Sequence, residues 1–184
     1  MYNNFYKNMK KLNDYPVTEY DKFPQKYYFL SIVNEIINIA ELKRLNKIIL
    51  DFGCGKKIFS QLLPDKKILN FDINPVYSEI KDYKNYKFDI VIFNHVLMYL
   101  KPNEIDILLK DIKKINPDCE LIFSLSRQNL ISKIAMLITL NFSAHKKTSS
   151  SYHEQLDQFR DKTIIIKEKL RIFGITDIYY CKFK

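Results

Sequence analysis

The sequence predicts an α/β fold in three layers (α/β/α): a doubly wound, mostly parallel sheet between helices, closed by a C-terminal antiparallel strand. Three observations predict it. Short apolar runs at Ile48-Ile49-Leu50, Ile68-Leu69-Asn70-Phe71 and Ile90-Val91-Ile92-Phe93 alternate with longer segments, the pattern of strands joined by crossovers. Each run ends in polar residues, at Asp51, at Asp72 and at Asn94-His95, where parallel sheets place their ligands. From Ile175 to Phe183, residues Ile178, Tyr180 and Lys182 interleave with Tyr179, Cys181 and Phe183, which suits a closing antiparallel hairpin.

At 184 residues, with 47% hydrophobic and 28% charged side chains, the chain is long enough for one real core and too apolar for a disordered segment. Thirty Lys and Arg against twenty-one acids give a formal charge of +9. The lysines are scattered and the densest cluster, His145-Lys146-Lys147, is short, so the excess reads as solvated surface. Attraction to nucleic acid or another polyanion is the alternative. Cys54, Cys119 and Cys181 lie far apart without CxxC spacing, which indicates neither a zinc site nor a disulfide framework and suits a reducing cytoplasm. Residues 1–24 have no apolar centre of the kind a signal peptide needs. The longest apolar tract, Ile131 to Phe142, is broken by Lys133 and falls short of the ~20 residues a membrane span takes. A soluble cytoplasmic protein without a bound metal is expected.

Taken in order, residues 1–24 are irregular, broken by Pro16 and Pro24, yet carry six aromatics that suit packing over a core. From Gln25 to about Leu45, apolar residues from Tyr28 to Ala40 recur at three- and four-residue steps, an amphipathic helix. Strand one runs from Ile48 to Asp51. The chain has three glycines and sets two of them together, at Gly53 and Gly55, which marks a backbone requirement. Phe59 to Leu63 forms a short helix stopped by Pro64, and the second strand ends at Asp72. Val76 to Lys87 is too polar for a clear buried strand. Phe88 to Phe93 is a buried strand, Val96 to Leu100 opens a helix, and Pro102 begins another that reaches Ile115. Glu120 to Leu125 is a strand with Ser126, Arg127 and Gln128 at its tip, and Tyr152 to Lys169 reads as helical.

Asp51-Phe52-Gly53-Cys54-Gly55-Lys56-Lys57, then Phe71-Asp72-Ile73-Asn74-Pro75, then Phe88 to Leu100 resemble, in order and spacing, three motifs of the class I S-adenosylmethionine-dependent methyltransferases. That family's first motif is Asp/Glu-x-Gly-x-Gly-x-Gly, so Lys57 stands where a third glycine is usual. A dinucleotide fingerprint would want glycine at Ile58 instead, which disfavours a nucleotide-dependent oxidoreductase. The resemblance covers roughly residues 46 to 125. It implies a Rossmann-like methyltransferase domain at 46–184, preceded by an N-terminal cap segment and helix at 1–45. The family's third strand is expected to be shortened or absent here.

The resemblance also implies a site. S-adenosylmethionine would be the cofactor, bound by Asp51, Gly53, Cys54, Gly55, Asp72, Ile73, Asn94 and His95. Asp72 would accept from both ribose hydroxyls, since a carboxylate's two oxygens suit a diol, and Ile73 would lie against adenine. Lys57 either narrows the pocket or meets the cofactor carboxylate. Cys54 reads as packing, not as a nucleophile. A hydroxyl or amine acceptor benefits from a general base, for which His95, at a strand tip beside the cofactor, has the best position. His145 and His153, in the segment where the family varies most, are further candidates. Tyr15 and Tyr20 are candidates for the pocket wall, because N-terminal extensions in this family commonly cover the site, and Tyr15 is a catalytic candidate beside His95 and His145. The expected function is methyl transfer to a small-molecule, sugar or lipid-linked acceptor. An RNA methyltransferase and a non-catalytic methyltransferase-like partner subunit remain as alternatives. Nothing in residues 126–170 names the acceptor, and the oligomeric state is not legible.

Overall fold

A computed structural model describes residues 25–127, 129–132 and 148–184. In chain order its elements are α1 (Gln25–Ile39), β1 (Ile49–Phe52), α2 (Ile58–Leu62), β2 (Ile68–Phe71), β3 (Ile90–Asn94), α3 (Pro102–Ile115), β4 (Glu120–Ser126), α4 (Tyr152–Lys162), β5 (Thr163–Ile172) and β6 (Thr176–Phe183). The six strands form one sheet in the order β2-β1-β3-β4-β6-β5. β2, β1, β3 and β4 run parallel, and β6 lies antiparallel between β4 and β5.

Neighbouring residues on the central strands point to opposite faces, and each face has its own core. Leu50, Val91, Phe93, Leu121 and Phe123 pack with Ile105, Leu109 and Ile112 of α3 and with Leu156 and Phe159 of α4. Ile49, Ile90, Ile92 and Ile122 pack with Ile32, Val33 and Ile36 of α1 and with Phe59 of α2. The near-continuous apolar runs follow from this, because a strand covered by helices on both sides has no solvent face. The architecture is the three-layer α/β/α fold expected.

Between β2 and β3 the described chain forms no strand. A 3-10 turn spans Tyr83–Asn85, where the Asp82 side chain accepts from the Lys84 amide at 3.0 Å. β2 is therefore a sheet edge.

The segment after α4 departs from the sequence reading. Its helix stops at Lys162, and Thr163 to Lys169 belongs to β5. Thr163 ends the helix, its hydroxyl donating to the Phe159 carbonyl at 2.8 Å, and the run Thr163-Ile164-Ile165-Ile166 is β-branched throughout. Such residues lose rotamer freedom in a helix and suit a pleated sheet. At its other end α4 starts in a capping box: Ser151 Oγ accepts from the Glu154 amide at 3.3 Å, and Glu154 accepts from the Ser151 amide at 2.7 Å. No helix among the described residues is long and apolar enough to cross a membrane.

Candidate active site at the strand tips

The residues singled out in the sequence converge at the C-terminal ends of β1, β2 and β3. After β1 the chain turns through Gly53 and Gly55, whose φ values of 80° and 46° lie in the left-handed region. At Gly53 space demands glycine as well: a Cβ there would stand 2.5 Å from Val96 Cγ2.

The turn is tied to β2. Gly53 and Cys54 both donate their amides to the Phe71 carbonyl, at 2.8 and 3.1 Å, and Gly55 donates to Asp72 Oδ2 at 3.0 Å. Asp72 Oδ1 accepts from the Asn74 amide at 2.9 Å. Asp72 thus holds the glycine turn and its own loop together with one lone pair per oxygen. Two lone pairs, one on each oxygen, are left for a diol. Ile73, half-buried, lies between these two ties. Cys54 is buried and its thiol points at the Tyr77 carbonyl, 3.5 Å away. Burial, then the charges of Asp51 and Asp72, push that thiol far above its ordinary pKa, which fits packing and excludes a thiolate nucleophile.

Asp51 is 2% exposed, and its Oδ2 has no hydrogen-bond partner among the described residues. Burial foremost, with the negative charge of Asp72 beside it, pushes its carboxyl up to about 8. A buried carboxylate oxygen without a donor is costly unless something fills the site.

Lys57 adopts a left-handed conformation, φ 56° and ψ 42°, just before α2. Its ammonium reaches Glu79 at 2.9 Å, and Glu79 also accepts from the buried Asn70 at 2.8 Å. The lysine in the third-glycine position is therefore folded against the β2 side and engaged there.

At the third tip, Asn94 ends β3 and His95 follows with φ 56°. Ser124 of β4 secures both: its hydroxyl donates to Asn94 Oδ1 at 2.9 Å and accepts from the His95 amide at 2.9 Å. The His95 ring lies 3.0 Å through Nδ1 from Ser126 Oγ, with the Phe29 ring edge-on at 5.9 Å between centroids. Tyr28, also on α1, hydrogen-bonds Thr176 and interacts with Ser126. On the opposite face of the sheet, Arg127 pairs with the buried Asp177 at 2.7 Å, and Tyr152 donates to the same carboxylate oxygen. His153 sits exposed on α4 beside the Tyr152 ring. Tyr15, Tyr20 and His145 lie outside the described residues.

Sequence reasoning brought Asp51, the glycine turn, Asp72, Asn94 and His95 to one place. It missed Ser124, Tyr28 and Thr176, and it placed Ser126 at the strand tip without its contact to His95. A signal existed: in Glu-Leu-Ile-Phe-Ser-Leu-Ser, two serines interrupt a buried strand on one face near its C-terminal end.

Comparison with known proteins identifies the family and the fold. A family model described as "Methyltransferase domain" matches residues 24–161. A search of curated proteins finds no match to the sequence. Among solved structures, the magnesium protoporphyrin IX methyltransferase ChlM of Synechocystis PCC 6803, with bound SAH, superposes with a TM-score of 0.62. It is 16% identical over 89% of this chain and 88% of its own. The PH0226 protein of Pyrococcus horikoshii OT3 also gives 0.62, at 14% identity over 98% and 99% of the two chains. The N-methyltransferase NodS of Bradyrhizobium japonicum WM9 gives 0.61, at 11% identity over 85% and 97%. At such identities these neighbours speak for the fold. The family model spans most of the chain, and the chain belongs to the class I S-adenosylmethionine-dependent methyltransferases.

Proposed function

We propose that this methyltransferase acts on a hydroxyl or amine of a small-molecule, sugar or lipid-linked acceptor, holding S-adenosylmethionine at the tips of β1 and β2 and the acceptor near His95. The single observation that carries the cofactor half is the pair Asp51 and Asp72 flanking the glycine turn. Asp72 retains a lone pair on each oxygen for ribose hydroxyls, and Asp51 Oδ2 is a buried acceptor with no donor among the described residues, suited to the ammonium of the methionine end. These residues fit the cofactor's two polar ends.

When bound, S-adenosylmethionine supplies a methyl group on a positively charged sulfur, already an activated leaving group. Positioning is then the protein's main task, with the acceptor atom held about 3 Å from the methyl and in line. Asn94 and His95 stand at the next strand tip, where His95 is suited to receive the acceptor's proton. The engagement of Lys57 by Glu79 speaks against the loss of cofactor binding that a non-catalytic partner subunit would show.

Calorimetric titration with S-adenosylmethionine and S-adenosylhomocysteine tests the reading. The wild type should bind both, and Asp72→Ala neither. A folded wild type that binds neither ligand overturns it.

A further inference from the structure

Resting on that reading, we infer that Arg127 is a specificity-determining residue: the edge of its guanidinium that Asp177 does not use takes an anionic group of the acceptor, a carboxylate or a phosphate.

Arg127 commits only one edge to the fold. Its Nε and Nη2 both donate to Oδ2 of the fully buried Asp177, at 2.8 and 2.7 Å. These two nitrogens form the side edge of the planar group. The end edge, made by Nη1 and the second hydrogen of Nη2, meets no acceptor among the described residues. Asp177 and the Tyr152 ring, 5.3 Å away, hold the guanidinium in place, yet the side chain stays 30% exposed. A fixed fork of parallel N–H groups at the surface matches two oxygens of one carboxylate or phosphate.

Neutralising Asp177 does not by itself call for arginine. Only four of the thirty basic residues are arginine, and Glu41, Glu79, Asp106, Asp111 and Glu120 are each paired with lysine. What arginine adds is a flat set of five donors, enough to serve a buried partner on one edge and a ligand on the next. The Arg127–Asp177 pair is neutral as a unit, so the anion is held by directed hydrogen bonds more than by net charge.

The position suits an acceptor. Arg127 follows Ser126, whose side chain meets His95, and its amide continues the pairing with the last hairpin by donating to the Ile175 carbonyl at 2.6 Å. Successive residues of an extended chain face opposite sides, so His95 and Arg127 stand on either side of one strand end. Tyr152 opens α4, and Ser149 just ahead of it donates its amide to the Met98 carbonyl at 2.7 Å, in the turn after His95. With the tips of β1 and β2 assigned to the cofactor, the ends of β3 and β4 are where a parallel sheet leaves room for a second ligand. An acceptor lying across them presents its reacting atom to the methyl group and its anion to Arg127, which makes and breaks no covalent bond.

The test is proton–nitrogen NMR on the full chain labelled with 15N, at about pH 6.5, where both probe anions are charged and arginine keeps its proton. Sodium phosphate and sodium acetate are titrated separately at constant ionic strength, with and without saturating S-adenosylhomocysteine. Arg127→Lys assigns the Arg127 Nε–H signal among the four arginines of the sequence. At least one anion should move that signal saturably, with half-saturation about tenfold below the concentrations that move Arg44, Arg160 and Arg171. Response to phosphate alone identifies a phosphorylated acceptor, and response to acetate alone a carboxylic acid. Arg127→Lys keeps the charge beside Asp177 but loses the fork, so its Tyr152 amide should respond to the same anion about tenfold more weakly than in wild type. No response at Arg127, an equal response at all four arginines (general attraction to a chain of charge +9), or an undiminished response in Arg127→Lys overturns the inference. Failure to bind S-adenosylhomocysteine sinks the cofactor reading whatever Arg127 does, whereas normal binding without a selective response at Arg127 sinks only this one.

Discussion

Lys57 donates to Glu79 at 2.9 Å from a left-handed backbone, and this pair is how the chain accommodates a long side chain where its family usually has glycine. The side chain leaves along the β2 edge, where Glu79 also accepts from Asn70. Hydrogen bonds from Asn70 first and Lys57 second hold the Glu79 carboxyl below its ordinary pKa.

Replacing Lys57 by glycine should therefore leave the cofactor site intact. A residue other than glycine in the left-handed region costs roughly 1 kcal/mol or more, and an exposed ion pair contributes about 0–1 kcal/mol. The two effects nearly offset, so Lys57→Gly should change the melting temperature by only a few degrees. Its affinity for S-adenosylhomocysteine should stay within about threefold of wild type. A tenfold loss would mean that Lys57 touches the ligand.

Gly53 is the opposite case. Its φ of 80° and the 2.5 Å approach of Val96 Cγ2 both reject a side chain. Gly53→Ala should destabilise the fold by about 2–4 kcal/mol, from backbone strain together with the clash. Adding Val96→Ala removes Cγ2 but leaves Val96 Cβ at 3.0 Å, so rescue should be partial. A double-mutant cycle followed by urea unfolding should give a coupling of about 1 kcal/mol in the rescuing direction. Strict additivity would show that the clash carries no energy.

Asp51 links the site to pH. In the fold its carboxyl is pushed up to about 8, while in the unfolded chain it titrates near its ordinary value of 3.8. Between these two values the native state holds a proton that the unfolded state has released. Asp51 therefore makes stability fall as pH rises through that window, by up to about 1.4 kcal/mol per pH unit. Asp51→Asn removes the ionisation and should raise the melting temperature at pH 8 relative to pH 5, compared with wild type. The same substitution should weaken S-adenosylhomocysteine binding at least tenfold, because a neutral amide replaces the acceptor for an ammonium. Calorimetry in buffers of different ionisation enthalpy would detect the proton that wild-type Asp51 releases on binding. Equal melting shifts for both proteins across the window would refute the assignment.

These sites differ in how far the sequence reveals them, and the reason is distance along the chain. Gly53, Gly55 and Asp72 are legible because each meets a local demand: positive φ at the turn, and a carboxylate one residue beyond an apolar run. The missing strand after β2 is legible too, since Val76 to Lys87 lacks the apolar residues a buried strand needs. Tyr28 and Thr176 are 148 positions apart, and no spacing rule joins a tyrosine on an amphipathic helix to a threonine opening the last strand. β5 was misread because Ile164, Ile166 and Leu170 are exposed on a sheet edge, so burial enforces no clear alternation. Only the β-branched run marks it, and that propensity is weaker than periodicity.

Asp177 shows what such unseen long-range pairing contributes. Although burial acts to raise its pKa, hydrogen bonds from Arg127, Tyr152 and the Arg171 amide hold its carboxyl below the usual value. A lowered carboxylate stabilises the fold above its unfolded pKa, and that stabilisation is lost as pH falls through the folded one. Acid should therefore loosen the junction of β4, β6 and α4 below about pH 4. Arg127→Ala leaves a buried carboxylate without its cation and should cost about 3–5 kcal/mol at neutral pH. Adding Asp177→Asn to Arg127→Ala removes the orphaned charge and should recover part of that loss, because Asn Oδ1 still accepts from the Arg171 amide while its Nδ2 donates to the Tyr152 hydroxyl in place of the bond Tyr152 now gives. Urea unfolding of the two variants at pH 7 decides it. If the double variant is no more stable than Arg127→Ala alone, the cost lies in lost packing of the guanidinium over the Tyr152 ring, 5.3 Å away, and not in the stranded charge.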